Sequence, residues 1–391
     1  MTPHDTTQFP TKGSHLMDDD FTARGALDEL IDAYESLAPR GPSAGPVIGV
    51  VGQDVPIELI EASGARPLRL RGNPGWDRAA AEHYLGTGLD PATTSIFAGI
   101  LAGRFGALDA IAVSSDCDAS QRLFYALREM RRVEPEAGIP PAHLVDMLHL
   151  PRESTARYNL VRLEEFVTQL RAWTGAPLDD ASIRAAIVAN NRVRQLQRHS
   201  MQLRHEKPSR LTGVESLALL GARTRMDRED YAALLERLLE VAGELPTHGG
   251  VRVFLTGSSH DSTDVYSLLE GAGAIVVGED HDWGELPTER DLADESLRGI
   301  AVHYRDNGPT PQRAMIASRA AHTAAAAAAA GAEVVLAYSR LKDEAPLWDV
   351  PLQRATSPVR FETVLRQPYG QVNPDAVAAL LAATDRQENA S

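Results

Sequence analysis

Asp109-Ala110-Ile111-Ala112-Val113-Ser114-Ser115-Asp116-Cys117-Asp118 is the stretch on which the fold turns. Asp109–Val113 reads as a short strand buried on both faces, and a polar cluster follows it at once. Upstream, Val47-Ile48-Gly49-Val50-Val51 is a second continuous apolar run of the kind found inside parallel sheets. Between the two runs the spacing predicts a helix over Pro56–Gly64, with Pro in its first turn and Gly past its end. A strand at Pro67–Leu70 and a helix at Pro91–Leu101 follow. Downstream, Gln121–Arg131 reads as a helix and His143–Leu148 as a strand that stops before Pro151. Strand and helix in regular alternation are the mark of a doubly wound parallel sheet.

Working outward, Phe21–Leu37 has helical apolar spacing, and Pro39–Pro46 is a Pro/Gly linker. From residue 153 the character changes. Ala156–Trp173, Ser182–Arg204, Gly213–Leu220 and Asp227–Leu239 carry helical periodicity with dense surface charge. Alternation then resumes with strands at Val251–Leu255, Ala274–Val277 and Glu333–Tyr338, and a further strand is expected at Gly299–His303. Helices are expected at Asp264–Gly271 and Gln312–Ala330, the second containing the alanine tract Ala324–Ala330. The expectation is an α/β chain of two Rossmann-like, doubly wound parallel-sheet domains facing a cleft and joined by a helical block. The expected boundaries are a tail at 1–20, a first α/β domain at 21–152, the helical block at 153–247 and a second α/β domain at 248–391. Lys12-Gly13-Ser14-His15-Leu16-Met17 resembles an expression-vector scar, which puts the expected native start near Met17.

The 391 residues are 43% hydrophobic and 24% charged, a globular composition. A net charge of −15 argues against nucleic acid and against an anionic membrane surface as partners. No run of about 18 apolar residues occurs, so no membrane span is expected, and the polar opening points to the cytoplasm. One cysteine excludes a disulfide framework within the chain and any simple four-thiolate iron–sulfur site.

In open parallel sheets ligands bind beyond the carboxyl ends of the strands. Four strand ends here carry polar clusters: Ser114–Asp118, Thr256–Asp261, Gly278–Gly284 and Ser339–Asp343. From these, Cys117 is the candidate nucleophile, His260 or His281 the candidate base, and Lys342 a third candidate catalytic residue. Ser114, Ser115, Asp116, Ser258, Ser259 and Asp343 are candidate substrate contacts. The competing reading is that Ser, Asp and Gly after a strand simply cap the next helix. Glu279–Asp282 holds carboxylates and a histidine, but four adjacent residues cannot all face one metal. There is no Walker loop, and Gly271-Ala272-Gly273 lies at a helix end, the wrong context for a dinucleotide fingerprint.

At these residues the chain resembles a known family. Val55–Leu70 is similar to the opening "P-x-E-L-I-x-A-A-G-x-x-P-x-R-L" of the 2-hydroxyacyl-CoA dehydratases and their benzoyl-CoA reductase relatives. Asp109–Arg122 resembles their "D-x-V-V-x-x-x-C-D-x-x-x-R" segment, Leu211–Leu220 their helical-block motif, and Arg252–Gly278 their second-domain signature. The resemblance implies a heterodimer of related subunits, each holding a 4Fe–4S cluster on three cysteines. It also implies an acyl-CoA substrate and an ATP-hydrolysing activator that injects one electron. The electron makes a ketyl radical of the thioester carbonyl, which can expel the neighbouring hydroxyl although the β-hydrogen is not acidic.

The sequence departs from that pattern at the ligand positions. The first cysteine is expected near Leu85–Thr93, where Asp90 or the nearby His83 would be a substitute. The second is Cys117, a metal ligand only if a cluster is bound. Lys342 stands at the third, and its ammonium cannot bind iron. The expected function is therefore a cluster-deficient subunit acting on an acyl-CoA with a cluster-bearing paralogue. The alternatives are a repurposed non-redox enzyme, for instance as a homodimer, and a non-catalytic binding or regulatory module.

Overall fold

A computed structural model describes residues 22–41, 45–306 and 308–388. The expected tail at 1–20 and the scar-like segment lie outside the described residues.

Among the described residues eight strands form two sheets. The first contains β1 (Val47–Val51), β2 (Arg66–Arg69), β3 (Ala110–Ser114) and β4 (Ala142–Val145) in the order β2-β1-β3-β4. The second contains β5 (Val251–Gly257), β6 (Ala274–Glu279), β7 (Val334–Arg340) and β8 (Arg360–Gln367) in the order β6-β5-β7-β8. Every pairing is parallel. The two orders are the same once β5–β8 are renumbered from one, so each sheet reverses direction between its first and third strands. That reversal opens a crevice at the carboxyl ends of β1/β3 and of β5/β7. The uninterrupted apolar runs explain the central positions: β1, β3, β5 and β7 are almost wholly buried.

One core lies on each face of each sheet. A separate all-helical core packs the Ala23–Glu35 helix against Gly213–Gly221 and Arg228–Glu240, with residues from Asp180–His205. Capping explains where the block's helices begin. Asp179 and Ser182 form a capping box for Asp180–His205, and Thr212 and Glu215 form another for Gly213–Gly221. The alanine tract is a helix, Ile316–Ala329, that buries Ala320 and Ala327.

Two expectations fail. Gly299–His303 is not a strand but part of the Leu297–Asp306 helix, which buries Gly299, Ile300, Ala301 and Tyr304 on one face. A short apolar run carries no period of its own, and here packing against the Glu153–Thr174 helix decides. The sequence reading also passed over β8, an edge strand whose Arg, Glu and Gln leave most of it partly exposed. The expected Gln312–Ala330 helix begins only at Ile316, after a turn.

Candidate functional site

At the crest of the first sheet, β1 runs into Gly52-Gln53-Asp54 and β3 into Ser115-Asp116-Cys117. Gly52 has φ +85°, and a Cβ there would meet Asp116 Oδ2 at 2.6 Å, so only glycine lets the two loops approach. Asp116 Oδ2 accepts from the Gln53 N–H at 2.9 Å, and Oδ1 is buried with no partner among the described residues. Burial first and then the charge of Asp54 push the Asp116 carboxyl up to about 6. Asp54 is fully buried, with Oδ2 3.0 Å from His149 Nε2 and Oδ1 2.8 Å from Arg313 Nη2.

Cys117 is half-buried and caps the Asp118–Val133 helix, its sulfur accepting from the Ser120 N–H at 3.4 Å. Burial and Asp116 push its thiol well above the usual range. Its thiol is therefore held protonated at neutral pH while it serves as the cap. Lys342 lies on a turn at φ +75° with its side chain exposed, whereas Asp343 beside it is buried. No hydrogen bond joins Cys117 to His260 among the described residues.

The crest of the second sheet holds Ser258, Ser259 and Asp343. Ser258 Oγ donates to Asp343 Oδ2 at 2.6 Å and accepts from the Arg340 N–H at 2.9 Å. Ser259 Oγ donates to Asp282. Arg340 reaches across to the first domain, where Nε and Nη2 donate to Asp90 Oδ1 and Oδ2 at 2.9 and 2.7 Å. Asp90 caps the Pro91–Leu101 helix, so this two-pronged bond ties a helix start in one domain to a strand end in the other. Asp343 is pushed up to about 6 by burial, against the pull of Arg340 and with the push of Asp90.

His260 sits in an aromatic box, 4.7 Å from the Tyr338 ring, 5.3 Å from His281 and 5.6 Å from Tyr266. Burial drives its pKa well down, so it is neutral, and Nε2 has no partner among the described residues. The Glu279–Asp282 residues fan apart as four neighbours must. Glu279 goes to Arg204, Asp280 to Arg319, His281 to Tyr266 and Asp282 to Arg69. Among the described residues no group of three or more His, Cys, Asp or Glu side chains could hold a metal ion. Nor is any described helix long and apolar enough to cross a membrane.

A cavity that the sequence reading missed lies between the first crest, the Asp180–His205 helix and the 282–288 loop. It encloses ≈ 1010 Å³, its open mouth included. Arg69, Arg194, Arg223 and Arg313 line it together with Val50, Val55 and Trp283, whereas Cys117, His260 and Lys342 do not. These arginines stand far apart in the chain and share no local motif. The available signal was Glu58 and Glu61 on the apolar turn Ile57–Ala62, carboxylates that need buried cations.

A family model described as 2-hydroxyglutaryl-CoA dehydratase, D-component, matches residues 53–341, most of the chain. No curated protein matches it.

Proposed function

The chain belongs to the 2-hydroxyglutaryl-CoA dehydratase D-component family, and from that premise we propose that it is a subunit whose cluster seat is closed by protein. It would act beside a cluster-bearing paralogue and help to hold the acyl-CoA thioester. The observation that carries this reading is the Asp90–Arg340 pair. Asp90 falls in the segment where the family resemblance puts the first ligand, and Arg340 is two residues before the third. Both Asp90 oxygens are engaged by Arg340. Cys117, at the second ligand position, offers a protonated thiol already spent on a helix cap. Lys342 offers an exposed cation. Such a donor set does not fit a 4Fe–4S cluster, whose ligands are thiolates, and no redox step is assigned to this chain.

The test is co-expression with a three-cysteine relative, followed by anaerobic purification and metal analysis. The pair should hold about four irons, all on the relative. About eight would sink the reading, and so would failure of the two chains to associate.

A second reading has one observation in its favour. Asp116 titrates at about 6 beside the cavity and could act as a general acid or base in non-redox chemistry. Turnover of a thioester by the isolated chain, lost in Asp116→Asn, would select it over the subunit reading.

A further inference from the structure

The arginine-lined cavity carries an inference that stands apart from the subunit reading and survives its failure. Each lining arginine leans on a carboxylate: Arg69 on Asp282, Arg194 on Glu58, Arg223 on Glu61 and Arg313 on Asp54. Of the four carboxylates only Asp282 reaches the wall. Glu58, Glu61 and Asp54 are set back, so donors and positive potential point inward.

Two buried groups remain unmet. Arg223 is 6% exposed, and its Nε has no partner among the described residues although Nη2 donates to Asn190 Oδ1 at 2.9 Å. Arg225, two residues on, is fully buried, and its Nε and Nη2 have no partner among the described residues. Burial first, then Arg71 and Arg69, oppose its charge. Buried donors without acceptors are costly, and so is a buried charge without a counter-charge. Arg225 does not line the cavity, and each lining arginine is balanced by its carboxylate, so the unmet donor on the wall itself is Arg223 Nε. The rest of the wall, with Val50, Val55, Ile57 and Trp283, is apolar.

We propose that this cavity binds an organic monocarboxylate, its carboxylate received by Arg223 and its apolar body laid against the valines and Trp283. A single unmet guanidinium donor suits a carboxylate better than a phosphate dianion, which asks for several. The apolar wall asks for a carbon skeleton of some length.

Titration calorimetry on the full chain, with octanoate, octanamide and inorganic phosphate as probes, tests this. Octanoate should bind, and octanamide should bind at least about tenfold more weakly because it lacks the charge. Arg223→Gln should weaken octanoate by a similar factor. Ile57 is half-buried at the wall, and Ile57→Trp should fill the cavity and abolish binding while leaving every arginine pair in place. Circular dichroism melts report folding, and if Arg223→Gln fails to fold, the Ile57→Trp arm decides. No octanoate binding, equal binding of the amide, tighter binding of phosphate or an unaffected Ile57→Trp would each overturn the proposal.

Discussion

The crests of the two sheets share a strand order and a place in the fold, yet Glu279 on the second and Asp116 on the first are treated in opposite ways, while Asp343 on the second crest is pushed up as Asp116 is. On the second crest Glu279 faces Arg204 Nη1 at 2.6 Å and Nη2 at 3.0 Å. Burial works to raise its pKa, but Arg204 prevails and holds it at about 2. Next to it Asp280 and Asp349 share Arg319, which is fully buried. On the first crest Asp116 has carboxylates, Asp54 and Asp282, where an arginine would be expected, and sits at about 6. Neutralised charges hold a structure together. An un-neutralised one beside a cavity is where chemistry or a ligand is to be looked for.

The largest effect that would break this comparison is at Arg204. Arg204→Met strands Glu279 in the interior and takes a partner from the half-buried Glu285, and should cost about 3–5 kcal/mol in urea unfolding. A loss below about 1 kcal/mol would show that Glu279 does not depend on the pair.

The opposite sign is expected at Asp116. Its folded pKa of about 6 lies above the unfolded value of about 3.9. Between those two values the folded state keeps a proton that the unfolded state has released. Wild-type stability therefore falls as pH rises from about 4 to about 6, and the loss is complete above that. Asp116→Asn should be more stable than wild type at pH 8, by up to roughly 3 kcal/mol, and no more stable near pH 3.5. Glu279 runs the other way, its contribution being lost as acid takes the pH down through about 2. An equal gain from Asp116→Asn at both pH values would remove titration as the cause.

Cys117 sharpens the contrast without a large stability change. Its alkylation rate against pH should be the same in wild type and Lys342→Met, because the exposed lysine does not act on the sulfur. Asp116→Asn should move the curve to lower pH, since Asp116 is one of the groups that raise the thiol. A shift in Lys342→Met alone would restore the lysine to the site. The smallest effect is at the cap itself. Cys117→Ser keeps an acceptor for the Ser120 N–H and should change stability by less than about 0.5 kcal/mol, whereas Cys117→Ala should cost about 1 kcal/mol. Equal losses in the two variants would mean that the cap contributes nothing.

Much of the architecture was legible because β1, β3, β5 and β7 are continuous apolar runs with punctuated ends. The edges were less so. β8 is partly exposed and mixes charge with apolar residues, and 299–303 has an apolar run too short to show its helical period. The crest loops were legible as strand ends, and the resemblance pointed to Cys117 and to the third-ligand segment. The partner of Asp90 was not, since Arg340 lies 250 residues away and only the facing of two sheets brings them together. The cavity was hidden for the same reason, its four arginines coming from four separate elements.

The central claim is that the Asp90–Arg340 pair closes the cluster seat. Anaerobic reconstitution of the isolated chain with iron and sulfide, followed by iron and acid-labile sulfide analysis, tests it most directly. Iron in the wild type should stay at the level of the buffer control. About four irons per chain, with matching sulfide, would contradict it.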